Sequence, residues 1–177
     1  MKTILFSFIF CLINVCLSAQ PGTLDSSFGV NGKVITNYPN EHAVAYDAAL
    51  LKDNTLIVTG EAGMNTYNDT AGILLLNYLP DGTLNSNFGI AGKKIFYLHP
   101  YNFSLGRAMS VLPDGKILVA GHGIKNVFEP NDGDLILEKF NSDGTLDSTF
   151  GYNGSASRNF DTPPLIYDMQ IQPMERF

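Results

Sequence analysis

The sequence predicts an all-β protein, made of tandem four-stranded antiparallel blades of a β-propeller in an incomplete ring. Three observations predict it. One eleven-residue phrase occurs three times, as GTLDSSFGVNG from Gly22, GTLNSNFGIAG from Gly82 and GTLDSTFGYNG from Gly144. Such a recurrence marks units that bury their cores only against neighbours. Between the phrases lie short β-branched and aromatic runs with turn signals and no 3.6-residue periodicity. Asp-Gly or Asp-Asn separates apolar runs at Asp53-Asn54, Asp81-Gly82, Asp114-Gly115 and Asp143-Gly144, and Asp-Gly between such runs is a strong hairpin signal.

Taken in order, Met1 and Lys2 precede an apolar run from Ile4 to Leu17, and the small pair Ser18 and Ala19 follows. Residues 1–19 therefore read as a secretory signal peptide, too short for the about 20 apolar residues of a membrane span. Cleavage after Ala19 removes Cys11 and Cys16 and leaves 177 − 19 = 158 residues. The expected product, residues 20–177, is one repeat region without a disulfide, secreted or held at the cell surface. Losing Lys2 leaves 10 Lys and Arg against 17 Asp and Glu, a net charge of −7. That charge disfavours nucleic acid and anionic lipid as partners.

Ten strands are expected, in the order D, A, B, C, D, A, B, C, D, A. The D strands are Lys33 to Asn37, Lys93 to Tyr97 and Ser155 to Asn159; the A strands are Val44 to Leu51, Ala108 to Leu112 and Ile166 to Ile171. The B strands are Thr55 to Gly60 and Lys116 to Gly121, and the C strands are Ile73 to Leu79 and Leu135 to Phe140. Two complete blades result, with an unpaired D before them and an unpaired A after them. Propellers need about 4 to 8 blades to close, so the expectation is a piece of a larger ring, truncated at its C-terminus. Its partners would then be missing blades of a parent chain, or other copies held through the blade flanks.

Each phrase reads as a structural connector. Leu24, Leu84 and Leu146 with Phe28, Phe88 and Phe150 supply apolar anchors, and Gly29, Gly89 and Gly151 supply turn conformations. The position held by Asp25, Asn85 and Asp147 accepts either side chain. Asn replaces Asp as a cap for backbone N–H groups, but not as a charged metal ligand or a general base.

The pattern GTLDxSFGxxGK, a strand, xPDGKILVAG, and an apolar strand ending in xDGTLD resembles the delta-60 repeat family of bacterial exported proteins. The resemblance runs from about Pro21 onward and implies a propeller fold and an exported location. It implies no activity and no catalytic residues. The chain departs from the pattern after Gln172-Pro173, where Met174-Glu175-Arg176-Phe177 stands instead of Asp-Gly-Lys.

Antiparallel alternation puts the A–B turns and the phrases at one end of each blade and the B–C and D–A connections at the other. The second set varies: Glu61 to Gly72, His122 to Asp134, Tyr38 to Ala43, Leu98 to Arg107 and Phe160 to Leu165. Variable loops on a rigid scaffold are where binding is expected. The candidate ligand-binding residues there are His42, His99, Tyr101, His122, Asp132 and Asp134. The three histidines lack ligand spacing, and the acidic turn at Asp132-Gly133-Asp134 lacks a calcium loop's pattern, so neither metal nor cofactor is expected. No nucleophile elbow is present. The expected function is a non-catalytic exported scaffold that binds a glycan or protein through these loops. The alternative is part of an exported propeller enzyme, a metal-assisted hydrolase or lyase.

Overall fold

The computed structural model describes residues 22–38, 42–63, 70–126, 128–129, 133–160 and 164–172. These residues form eight strands: β1 (Ala43–Leu50), β2 (Leu56–Ala62), β3 (Gly72–Tyr78), β4 (Lys93–Phe96), β5 (Phe103–Val111), β6 (Ile117–Ile124), β7 (Gly133–Phe140) and β8 (Ser155–Asn159). They pair as two four-stranded antiparallel sheets, β1-β2-β3-β4 and β5-β6-β7-β8. Among the described residues no helix is long and apolar enough to cross a membrane.

Two of the ten expected strands do not form. Residues 34–37 and 166–171 belong to no strand, and Lys33 makes only an isolated bridge with Val30. Both segments are rich in strand formers, but a strand also requires a backbone ladder to a neighbour, and neither segment forms one with a described strand. Side chains hold them instead. Thr36 Oγ1 and the Tyr78 hydroxyl share a 2.6 Å hydrogen bond, and Ser110 Oγ donates to the Met169 carbonyl at 3.0 Å.

The strands next to the variable connections run longer than expected. β5 begins at Phe103, β6 continues to Ile124 and β7 begins at Gly133, so the ladder pairs Leu105 with His122 and Gly123 with Asp134. His122 and Asp134 are therefore strand residues rather than loop residues.

The main core lies between the sheets. Ile57, Ile73 and Leu75 of the first meet Met109, Ile117, Val119, Ile136 and Phe140 of the second. Phe96 and Phe140 cross edge to face, 5.7 Å between centroids. Each such side chain contributes about 1.5–3 kcal/mol on burial. β3 is buried along its whole length, because its other face, Leu74, Leu76 and Tyr78, is covered by Val34 and Tyr38 of the first connector.

The phrases clamp neighbouring units together. The Gly89 N–H donates to the Asp143 carbonyl at 3.0 Å, and the Gly29 N–H donates to the Asp81 carbonyl at 2.8 Å. Phe88 is 1% exposed and lies flat on Gly144, where a Cβ would come within 2.7 Å of the ring and φ is +83°. Only glycine meets both demands. Leu84 and Leu146 pack on the two apolar clusters. Leu24 does not serve as the expected anchor: it is 60% exposed, and among the described residues none bridges to it as Tyr78 does to Leu84 and Phe140 to Leu146. Phe28 and Phe150 are half-buried and Gly151 is exposed.

Candidate functional site

The innermost strands carry matching bulges. The β1–β2 register slips between Ala45 and Asp47, and the β5–β6 register slips between Gly106 and Ala108. The residues left unpaired are Tyr46 and Arg107. A bulge breaks the alternation of a strand and re-aims one side chain. Tyr167 holds the same repeat position in the third inner segment, since 107 − 46 = 61 and 167 − 107 = 60.

These three side chains border one space. With His122, Leu165 and Ile166 they line a cavity of about 310 Å³. The Arg107 guanidinium lies 4.0 Å over the centroid of the Tyr46 ring. Burial, with the Glu61 carboxylate adding to it, pushes the Tyr46 phenol above its ordinary value. His122 Nε2 donates to the Pro164 carbonyl, which leaves Nδ1 as the acceptor nitrogen. Burial lowers the His122 pKa, and the Arg107 charge lowers it further, so the imidazole is neutral at pH 7. Glu61 and His122 again share one repeat position, directly after Gly60 and Gly121. Arg107 Nε is buried and makes no hydrogen bond. The cavity therefore presents one guanidinium, two phenols and a neutral imidazole against two aliphatic side chains.

The six sequence-predicted residues do not converge on one site. His42 is exposed, with Nδ1 4.0 Å from Glu61 Oε1, and so lies at the edge of this cluster. His122 is inside it. His99 is exposed in the β4–β5 connection, and Asp132 falls outside the described residues.

Tyr101 and Asp134 meet in a second cluster. The Tyr101 hydroxyl and Asn159 Nδ2 each donate to the Asp134 carboxylate at 2.6 Å, and Lys125 Nζ lies 2.9 Å away. Burial alone would raise the Asp134 pKa, but these donors overcome it and hold the carboxyl below its usual range. The Tyr101 ring seats on Gly123, where a Cβ would stand 2.6 Å from it. Both carboxylate oxygens are thus occupied from within the protein, and the cluster ties β6, β7, β8 and the β4–β5 connection together. Among the described residues no group of three or more His, Cys, Asp or Glu is arranged to hold a metal ion.

A family model described as "Domain of unknown function (DUF5122) beta-propeller" matches residues 112–150. That span covers the A–B turn, β6, β7 and the third phrase up to Phe150. The two sheets are propeller blades. No curated protein and no solved structure matches the chain. In propeller terms β1 and β5 are the inner strands, β4 and β8 the outer ones, and the cavity sits at the inner edge.

Sequence reading missed Tyr46, Glu61 and Arg107 as site residues. Each borders a strand-like run and looks like its solvent face or the loop beside it. The repeat columns do pair these residues, with Tyr46, Arg107 and Tyr167 in one and Glu61 and His122 in another, but the columns beside them vary as well, so the sequence did not set them apart.

Proposed function

We propose that this chain is an exported, non-catalytic interaction protein of the delta-60 repeat type, whose blades present a binding site for a glycan or protein. The observation that carries the reading is that the bulge residues Tyr46 and Arg107, and Tyr167 at the same repeat position, line one cavity. Their repeat position is constant while one copy places Arg where the other two place Tyr, as expected where a scaffold is kept and a ligand is read. On this reading the inner edge does the recognising, and the Asp134 cluster is a strut.

The test is a binding screen of the chain from Gln20 onward against glycan and peptide arrays, with elemental analysis of the same sample. Expected are ligands whose retention falls in the Arg107→Gln protein, and no stoichiometric metal. A stoichiometric metal together with turnover of a bound polymer would overturn the non-catalytic reading in favour of a metal-assisted hydrolase or lyase.

A further inference from the structure

We propose that the inner-edge cavity binds a saccharide carrying a single carboxylate, a uronic acid residue of an acidic glycan, with Arg107 as the group that recognises the charge. This rests on the binding reading above and specifies its ligand. The first support is the state of the guanidinium. Its central carbon lies 4.0 Å from the centroid of the Tyr46 ring, and its Nε is buried without a partner. A buried donor lacking an acceptor is costly. A carboxylate would satisfy it, since the planar fork of a guanidinium matches the two oxygens of a carboxylate in bidentate fashion.

Charge decides between anions. Among the described residues that line the cavity Arg107 is the one cation, His122 is held neutral, and the Glu61 carboxylate acts on the neighbouring Tyr46. One guanidinium can pair with one carboxylate in bidentate fashion, whereas a phosphate dianion would bring a second, uncompensated negative charge close to Glu61. The rest of the lining decides between carriers. Phenol hydroxyls of Tyr46 and Tyr167 and the Nδ1 acceptor of His122 suit a ring of hydroxyl groups. The Tyr167 ring, 83% exposed, with Leu165 and Ile166 suits the apolar C–H face of a sugar. A volume of about 310 Å³ lies at the small end of ligand pockets, which run from about 300 to 1,000 Å³, so the fit is to a small saccharide unit.

The experiment is isothermal titration calorimetry of the chain from Gln20 onward with a glucuronic acid disaccharide, its neutral glucose counterpart and a short peptide ending in a free carboxylate. The account predicts that the uronate binds at least about 10-fold more tightly than the neutral sugar, the scale of one charge-assisted contact. Arg107→Gln should erase that difference and Arg107→Lys should keep part of it. Because Arg107 packs on Tyr46, circular dichroism checks each variant, and Tyr167→Ala, at an exposed position, gives an independent one. It should weaken both sugars together and leave their ratio unchanged. Equal binding of neutral and charged sugars, or a difference that survives Arg107→Gln, overturns the inference and leaves the interaction-protein reading intact. Binding of the peptide with no saccharide bound overturns the uronate assignment. Failure of every array ligand would instead sink the interaction-protein reading itself.

Discussion

The two blades share a backbone and differ in the chemistry hung on it. In the first blade Asn77 Nδ2 donates to Thr55 Oγ1 at 3.1 Å, and Asn85 Nδ2 donates to Asn77 Oδ1 at 2.8 Å. At the same three positions the second blade has Lys116, Lys139 and Asp147, with the lysine ammonium groups 2.8 and 3.5 Å from Asp147 Oδ2. The main-chain bonds beneath are alike: the Asn85 N–H donates to the Asn77 carbonyl at 2.9 Å and the Asp147 N–H to the Lys139 carbonyl at 2.7 Å. In both, the remaining side-chain oxygen caps the N–H two residues on. A fourth position is Leu76 in the first blade and Glu138, fully buried, in the second. The blade scaffold thus depends on backbone geometry and apolar contact, and its polar positions can be neutral or charged as sets. Titration at these four positions is confined to the second blade.

The largest expected effect comes from cutting the blades apart. Phe88→Ala removes the ring that the first blade seats on Gly144 of the second and should cost about 3 to 5 kcal/mol in chemical denaturation. A variant melting within about a degree of the parent would show that the clamp is not what joins them. Glu138 comes next. Burial pushes its carboxyl from an ordinary 4.5 up to about 7, the Ser155 hydroxyl being its one donor. The folded state holds the proton more tightly than the unfolded chain, so stability is full below pH 4.5 and is lost as pH rises through about 7. Glu138→Gln should recover on the order of 3 kcal/mol at about pH 8 and almost nothing at about pH 4.

The ionic set gives a smaller effect with a distinctive pattern. The Lys116 ammonium and the Thr149 hydroxyl hold the Asp147 carboxyl well below the usual carboxylate range, so its contribution is present above pH 3.8 and lost as pH falls through the folded value. Asp147→Asn strands two ammonium groups. It should melt below the triple variant Lys116→Thr, Lys139→Asn, Asp147→Asn, which rebuilds the first blade's amide set. A triple variant less stable than the single one would break the equivalence of the sets. Smallest of all, Leu24→Ala should leave the melting point within the scatter of surface substitutions, about 0.5 kcal/mol, while Leu84→Ala and Leu146→Ala lower it measurably.

Much of this was legible in the sequence, and the failures are physical. The three phrases and four Asx turns located both blades, because each asks for residue types that only its own geometry tolerates. His122 and Asp134 read as loop because glycines flank or precede them. In the fold Gly121 and Gly123 are paired strand residues, glycine there making room for Leu105 and Tyr101. Residues 33–37 and 166–171 read as strands because composition reports what a segment prefers, while a ladder needs a second strand. The site was hardest to see. A bulge leaves no mark on a single strand, and Tyr46 and Arg107 come together only when two repeats lie side by side.

The most direct test of the blade comparison is a transplant. Lys116→Thr, Glu138→Leu, Lys139→Asn and Asp147→Asn together give the second blade the first blade's residues, and thermal melts of this variant and the parent are compared across pH. Taking the difference removes what His122 and the shared turn residues Asp53, Asp81 and Asp143 contribute to both. The account predicts that the variant gains on the parent steadily as pH rises from about 4.5 to about 8, as the parent's Glu138 is forced to ionise. A folded variant whose difference from the parent stays constant over that range would contradict it.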